Sequence, residues 1–224
     1  IVDLVSRGMR VGIAATSHKV IAELLRKVGE CADKRGVPIR RGHRASSDDT
    51  IAPGVAYLGS NDAVVRQLDS RALDVIGGTS WLWARDDMVE QIDVLFIDEA
   101  GQMSLTDTLA SASAARNLVL LGDPQQLDQP LQGTHPLGAE RSALAHVLNG
   151  EDVIPETMGL FLTGTWRLHP SICSFTSEMF YEGLLQSYPG REQLQLEGAA
   201  ALSGTGIRFL AVPHDGNSSS ANAE

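Results

Sequence analysis

The stretch DVLFIDEAGQMS, residues 93–104, runs four apolar residues directly into two adjacent carboxylates, Asp98 and Glu99. Such a run predicts a buried strand with a polar carboxyl end. Ionised carboxylates on consecutive residues repel each other, and a divalent cation at an open strand end relieves that repulsion. The other interpretation is that the pair only caps the following helix, a role for which Ser104 and Asp107 are also candidates.

Short apolar runs alternate with helical patterns along the rest of the chain. The runs are VGIAAT (11–16), DVIGGT (74–79), LVLLGD (118–123), LFLTGT (160–165) and IRFLAV (207–212). Ser17 is placed to cap a helix over 18–28, and Pro170 and Gly183 are placed to begin and end a second helix. Buried strands alternating with helices predict a parallel α/β sheet covered on both faces. Ligands bind outside the carboxyl ends of such strands.

Length and composition limit the class of protein. The 224 residues suit one full domain plus part of another. The formal net charge of −10 argues against bulk attraction for nucleic acid, but it leaves room for a local groove of amides and hydroxyls. No apolar run approaches the roughly 18 residues of a membrane span. The charged start of the chain is unlike a signal peptide, so we expect no membrane partner and an intracellular, cytoplasmic setting.

Two further stretches combine strand ends with phosphate-binding chemistry. LVLLGDPQQL (118–127) ends an apolar run in Gly-Asp and a loop with two glutamines. The Gln126 amide can donate to a terminal phosphate oxygen and accept from a water. TWRLHPSICSFTSEMFYEGLL (165–185) places Trp166 and Arg167 between a strand and a helix, where an arginine can reach a phosphate.

These stretches, in this order and spacing, resemble superfamily 1 helicases. The similarity is greatest to the branch of the nonsense-mediated-decay helicase and the DNA-replication helicase/nuclease. DEAGQ is similar to motif II (Walker B), LLGDPQQL to motif III and WRLHP with its helix to motif IV. VGIAATSHKVIAELLRKV resembles motif Ia and VIGGTSWLWA motif Ic. Thr165 replaces the usual Gln, Leu168 a frequent Met, and His18 a common Asn.

The resemblance implies a RecA-like fold with ATP and Mg²⁺ as ligands. Asp98 would hold Mg²⁺, and Glu99 would activate the attacking water. Gln126 would contact the γ-phosphate, and Arg167 would act as an arginine finger with Trp166 near the nucleotide base. The residues implied to line the path of a single nucleic-acid strand are Ser17, His18 and Thr79.

The resemblance also predicts the domain organisation. Residues 1–158 would form the first RecA-like domain, cut before its P-loop, and 159–224 the beginning of the second. The phosphate-binding pattern G-x-x-x-x-G-K-S/T is absent from the 224 residues. We therefore expect a fragment of a longer helicase, inactive alone, whose parent hydrolyses ATP to move on single-stranded nucleic acid, with DNA preferred over RNA. A fused nuclease or other domain in the parent is compatible with this branch.

Other interpretations remain open. The chain could be a non-enzymatic nucleic-acid-binding or scaffold module, or a phosphoacceptor domain using Asp98. Trp81 and Trp83 could stack on bases, although packing in the core or a domain interface is favoured. A basic patch could touch phosphates or could be a solvated loop: Arg40, Arg41, His43 and Arg44. This patch lies in the segment 36–60, which predicts an irregular excursion with a short strand or two.

Overall fold

The computed structural model describes residues 1–127, 139, 141–198, 202–207, 209 and 211. The chain divides into two compact units, Ile1–Glu151 and Asp152–Glu224. Each unit has its own strands and helices.

Unit 1 contains six α-helices, one 3-10 helix (Asp86–Met88) and six strands within the described residues. The helices are α1 (Val2–Ser6), α2 (His18–Arg35), α3 (Asn61–Asp69), α4 (Ser80–Trp83), α5 (Leu105–Ala112) and α6 (Ala143–Leu148). The strands are β1 (Val11–Ala14), β2 (Arg41–Arg44), β3 (Val55–Leu58), β4 (Val75–Gly78), β5 (Ile92–Ile97) and β6 (Ala115–Leu120).

The six strands form one parallel sheet in the order β3-β2-β4-β1-β5-β6. Strand β1 lies at its centre, where Ala14 is in register with Gly78 of β4 and Ile97 of β5. The carboxyl ends of β4, β1 and β5 therefore open side by side on one edge of the sheet.

Helices cover both faces of this sheet. On one face, Gly77 leaves room for Ile21 and Leu25 of α2, both fully buried. On the other face, Trp83 is fully buried, and its indole N–H donates to the carbonyl of Ile13 at 3.0 Å. The predicted class, an α/β RecA-like arrangement around a parallel sheet, is confirmed.

The predicted helix boundaries are set by local chemistry. The Ser17 hydroxyl accepts a hydrogen bond from the amide of Val20 and caps α2, as predicted. In unit 2, α7 (Pro170–Phe180) begins with proline in its first turn. Gly183 follows the end of α7 with a φ of 76°, a left-handed conformation that glycine adopts without a side-chain clash.

Three of the predicted strands differ from expectation. LVLLGD forms β6, but β6 is at the edge of the sheet, and Leu118 is 40% exposed rather than buried. LFLTGT contributes only β7 (Gly164–Thr165). None of the residues described within IRFLAV is in a strand, and the others fall outside the described part of the chain. An apolar run alone does not make a strand, because a strand also needs a neighbouring strand with which to exchange backbone hydrogen bonds.

Unit 2 contains a small strand–helix–strand motif. Strand β7 pairs in parallel with β8 (Gln186–Ser187), and α7 connects them. Cys173 of α7 is buried and faces the start of β8, where its thiol is 3.6 Å from the Leu185 carbonyl oxygen. In the described part of either unit, no helix has both the length and the apolar character of a membrane span.

Candidate functional site

The Asp98–Glu99 pair occupies the turn that follows β5. It does not cap the next helix: α5 begins at Leu105, and the hydroxyl of Ser104 accepts the hydrogen bond from the amide of Asp107 at 3.1 Å. The capping interpretation is therefore wrong, and the two carboxylates remain at the carboxyl edge of the sheet.

Burial and charge disfavour ionisation of Asp98. Burial raises the pKa of this carboxyl group, and the neighbouring charge of Glu99 acts in the same direction. The amide of Glu99 donates to Asp98 Oδ1 at 3.0 Å and opposes the rise in pKa, as does the charge of Lys27. Asp98 also borders a groove whose other lining residues all come from α2: Lys19, Val20, Glu23, Leu24 and Lys27.

The backbone and side chain of Glu99 are both constrained. Its φ is 55°, in the left-handed region that non-glycine residues rarely occupy. Its Oε2 accepts a hydrogen bond from the hydroxyl of Thr16 at 2.9 Å. Thr16 follows β1, so a residue of the adjacent strand end fixes the direction of the Glu99 carboxylate. Thr16 ends the apolar run VGIAAT, but a run of this kind does not predict a contact with a residue 83 positions away.

The glutamine loop packs directly on the carboxylate turn. A Cβ atom added to Gly101 would clash with the carbonyl oxygen of Asp123, and one added to Gly122 would lie 2.9 Å from the amide of Ala100. The Gln102 side-chain amide donates to Gln126 Oε1 at 2.9 Å. Glycine at 101 and 122 therefore allows the two turns to meet backbone to backbone, and a glutamine pair joins them.

The predicted strand-contacting residues lie at the neighbouring ends of β1 and β4. Ser17 and His18 follow β1, and Thr79 follows β4. The Ser17 hydroxyl is engaged by the amide of Val20, whereas the Thr79 side chain makes no capping hydrogen bond to α4. All three are partly exposed.

His18 contacts a second, fully buried histidine. His18 Nδ1 is 3.2 Å from His43 Nε2, and His18 Nε2 is 3.8 Å from Asp49 Oδ2. His43 lies in β2 and has no exposed surface. Burial, and to a smaller extent the neighbouring His18, lower the pKa of His43 to about 4 against the opposing effect of Asp49.

The basic patch has structural partners. Arg40 pairs with Asp74, with Nη2 2.6 Å from Oδ1. Arg41 donates to the Leu25 carbonyl in the space left by Gly29. Arg44 donates to the Asn61 side chain and to the Ala45 carbonyl. The patch is thus mostly strand β2 with its guanidinium groups engaged, neither a solvated loop nor a set of unpaired phosphate contacts.

The two tryptophans near Thr79 have opposite environments. Trp83 is in the core, as favoured from the sequence. Trp81 is 85% exposed, so a place in the core is wrong for this residue, while a place in a domain interface stays a prediction. In the single turn of α4, side chains two positions apart face different directions, and only one of them can face the sheet.

Arg167 and Trp166 belong to unit 2. Arg167 is exposed, and its amide donates to the Thr165 hydroxyl at 3.3 Å. The Trp166 ring stacks on Tyr188 with centroids 3.8 Å apart and planes 19° from parallel. The Arg191 guanidinium lies 5.5 Å from the Trp166 centroid. The convergence of Arg167 with Asp98, Glu99 and Gln126 stays a prediction.

No group of three or more metal-binding side chains occurs in the part of the chain that the structure describes. Asp98 and Glu99 nevertheless offer hard oxygen donors, and Mg²⁺ is commonly held by one or two carboxylates, with waters and substrate phosphates completing its shell. The donor set fits Mg²⁺ in this limited sense.

The fold and this edge define a class of protein: a RecA-like α/β domain with carboxylates and a glutamine loop at the carboxyl ends of adjacent strands. A family model described as an AAA domain matches residues 70–130, which include both of these turns.

Three curated helicases are similar to longer stretches of the chain. The 5'-3' DNA helicase ZGRF1 of Mus musculus is 27% identical over 130 residues, 57% of this chain and 7% of that protein. Helicase SEN1 of Saccharomyces cerevisiae is 25% identical over 177 residues, 79% of this chain and 7% of that protein. The DNA replication ATP-dependent helicase/nuclease DNA2 of Gallus gallus is 27% identical over 125 residues, 50% of this chain and 12% of that protein.

These relatives are superfamily 1 helicases, so the resemblance predicted from the motifs is confirmed, at low identity. The chain spans between 7% and 12% of the length of these relatives.

The close contact between the two turns gives a first prediction. Gly101→Ala should lower the free energy of unfolding by about 1–3 kcal/mol, because the new methyl group must push the Asp123 carbonyl away. Urea unfolding measures the change. Gly198→Ala is the control, since a Cβ there meets open space. Equal stability of the two variants would contradict the close contact.

Buried His43 gives a pH-dependent prediction. The unfolded chain binds a proton near pH 6.5, but folded His43 binds it only near pH 4. The folded state should therefore lose up to roughly 3 kcal/mol from this group as the pH falls through that window. His43→Leu should flatten the pH dependence of the unfolding free energy between pH 6.5 and 4, whereas His146→Gln, at an exposed position, should not.

Proposed function

We propose that this chain is part of the motor core of an ATP-dependent superfamily 1 helicase or translocase that moves on single-stranded nucleic acid. One observation carries the proposal. The Asp98–Glu99 turn and the Gln126 loop leave adjacent parallel strands at one edge and are joined by the Gln102–Gln126 hydrogen bond. Phosphoryl transfer uses one carboxylate to hold a metal, another to orient a water, and an amide to contact the terminal phosphate. This edge offers all three kinds of group.

In this proposal Glu99 orients and activates the attacking water. The Thr16 hydroxyl supports that role because it holds one carboxylate oxygen in place, which leaves the other to accept from the water. Thr16 is thus a positioning residue that connects the end of β1 to the catalytic carboxylate.

Asp98 is the proposed ligand of Mg²⁺. Among the described residues it accepts one hydrogen bond, from the amide of Glu99, so carboxylate oxygen remains for a cation. A bound Mg²⁺ would neutralise negative charge on the nucleotide phosphates. It would also favour the ionised form of Asp98, which burial and the Glu99 charge disfavour in the free chain.

Gln126 is proposed to sense the terminal phosphate. Its oxygen is held by Gln102, which lies in the carboxylate turn, so its side-chain amide N–H₂ remains to donate to a phosphate oxygen. Movement of the glutamine loop would be transmitted to the carboxylate turn through the contact at Gly101. This connection gives a route by which nucleotide state changes the grip on nucleic acid.

Two residues of unit 2 are proposed to act on the nucleotide. We propose that unit 2 begins a second RecA-like domain and that Arg167 serves as an arginine finger. The strand–helix–strand order around α7 and the exposure of Arg167 support this role. Trp166 would lie beside the nucleotide base, with Tyr188 covering one face of its ring.

Ser17, His18 and Thr79 are proposed to line the path of the single strand. Two of the similar proteins are named for DNA, as a DNA helicase and as a DNA replication helicase/nuclease, which favours DNA over RNA as the substrate. Because the second protein is named a helicase/nuclease, we include in the proposal a nuclease domain fused to a longer parent protein. Exposed Trp81, two residues after Thr79, is proposed as a surface on which an unpaired base stacks.

The chain by itself should show no ATP turnover. The pattern G-x-x-x-x-G-K-S/T, with its phosphate-binding lysine, is absent from its sequence. For comparison, one charge-stabilising group such as an arginine finger is worth about 10³–10⁵ in rate, roughly 4–7 kcal/mol of barrier. A coupled assay of phosphate release with Mg²⁺ and single strands measures this. Magnesium-dependent turnover that disappears in Glu99→Gln would contradict the prediction of inactivity.

A protein that joins these 224 residues to a phosphate-binding loop and a complete second domain should hydrolyse ATP. Single strands should stimulate the reaction, and Glu99→Gln should reduce kcat by about 10²–10⁴ while leaving nucleotide binding intact. Thr16→Val should lower kcat with little change in KM, because only the orientation of Glu99 is lost. Strand binding with no hydrolysis in that protein would favour the alternative, a non-enzymatic nucleic-acid-binding or scaffold module.

Trp81 gives a direct test of strand binding by the chain itself. In a Trp166→Phe variant, Trp81 is the exposed tryptophan that remains, since Trp83 is buried. A single-stranded oligonucleotide that stacks on Trp81 should quench the fluorescence of this variant at low salt. Trp81→Leu should weaken binding by about 1–3 kcal/mol, and Trp81→Phe should retain most of it. An abasic strand of equal length is the control, and equal loss with this strand would argue against stacking.

A further inference from the structure

Three polar side chains form a line at the carboxyl edge of the sheet: Asp49, His18 and His43. His18 is the first residue of α2, His43 lies in β2, and Asp49 lies in the loop after β2. The nitrogen–nitrogen separation of 3.2 Å between the two rings is that of a hydrogen bond. The proposed function uses His18 alone and gives no role to the other two residues.

The surroundings of His43 determine which of its ring nitrogens carries the proton. His43 Nδ1 is buried and has no hydrogen-bond partner among the described residues. A buried N–H without a partner costs about 1–3 kcal/mol, and natural structures tolerate an unpaired acceptor more readily than an unpaired donor. The proton of neutral His43 is therefore better placed on Nε2, from which it can be donated to His18 Nδ1.

The other end of the line agrees with this assignment. If His18 carried its proton on Nδ1, the lone pair of its Nε2 would face the Asp49 carboxylate 3.8 Å away. A proton on Nε2 replaces that repulsion with attraction. Both ends thus select the same tautomer, with His43 donating to His18 and the His18 Nε2–H on the side of Asp49.

The Asp49 carboxylate is held in place by another residue and does not accept a hydrogen bond from His18 Nε2. Its Oδ2 accepts a hydrogen bond from the amide of Ser46 at 2.7 Å. The 3.8 Å separation from His18 Nε2 is too long for a hydrogen bond. The His18 side chain is partly exposed, with 30% of its surface accessible, so a ligand can approach the ring from solvent.

We propose that His43 positions His18 so that its Nε2–H is presented to a phosphate oxygen of a bound single strand, and that Asp49 competes with that phosphate. This inference rests on the proposed function, which places His18 on the strand path. His43 is a positioning residue here, since it has no exposed surface and acts only through His18. The two neighbours have opposite effects: His43 supports binding, and Asp49 weakens it.

The first test is the tautomer of His18, measured by ¹⁵N NMR of histidine-labelled chain at neutral pH. The expected result is a proton on Nε2 of His18. His43→Gln should preserve it, because the glutamine amide can donate from nearly the same place as Nε2. His43→Leu should give a mixture of tautomers. A proton on Nδ1 of His18 in the unaltered chain, or no change in His43→Leu, would overturn the positioning role.

The second test is binding of a fluorescent single-stranded oligonucleotide, measured by anisotropy at low salt. Asp49→Asn keeps the shape and the acceptor for Ser46 but removes the charge, and should tighten binding on the order of two- to fivefold, as expected for a solvent-screened interaction. His43→Leu should weaken binding, and His43→Gln should restore it. In a His18→Ala background the Asp49→Asn gain should disappear; a gain that persists would overturn the competition.

These two tests separate the inference from the proposed function. If the chain and every variant fail to bind any strand, the phosphate ligand is wrong and the nucleic-acid part of the proposed function fails with it. The NMR result still decides whether His43 positions His18. If strands bind but Asp49→Asn and His43→Leu have no effect, the inference is wrong while the proposed function stands.

Discussion

The candidate site depends on the direct contact between two backbone turns. Strands β5 and β6 are parallel and adjacent, so the chain leaves both at the same edge, first at Asp98 and later at Asp123. The turns can touch only because Gly101 and Gly122 lack side chains. A larger residue at either position would separate the carboxylates from the glutamine loop and break the contact between Gln102 and Gln126. This packing places two carboxylates next to a side-chain amide, the groups proposed above to hold a metal and to sense a phosphate.

Much of this arrangement could be predicted from the sequence because it follows from local patterns. The alternation of apolar runs with helical patterns predicted the parallel sheet, and parallel strands bring their polar carboxyl ends to a common edge. The positions of Ser17 and Pro170 predicted where α2 and α7 begin, since helix starts depend on the few residues around them. The resemblance implied that Asp98 and Gln126 act on one nucleotide, and the parallel pairing of β5 with β6 accounts for their place at neighbouring strand ends.

The contacts that tune the site could not be predicted, because they depend on partners distant in the chain. The Thr16 hydroxyl reaches Glu99 across 83 positions of sequence, and His43 reaches His18 across the β2 and α2 packing. The basic residues of β2 suggested a patch for phosphates, but Asp74 and the Leu25 carbonyl engage two of its guanidinium groups. Trp81 lies outside the core for a similar reason, since the one turn of α4 buries Trp83 in its place.

The same edge carries features that cost folding free energy. Asp98 has a raised pKa because it is partly buried beside another carboxylate, and Glu99 has a left-handed backbone of the kind that costs on the order of 1 kcal/mol or more. Glu99 is one of five non-glycine residues with positive φ in the described part of the chain, so the conformation alone does not identify a site. The proposal of a site rests on the coincidence of this backbone with a hydroxyl-held carboxylate, a second carboxylate and a close-packed glutamine loop. A cation between these groups would offset the repulsion, which is why an edge that is unfavourable in the free chain is suited to bind one.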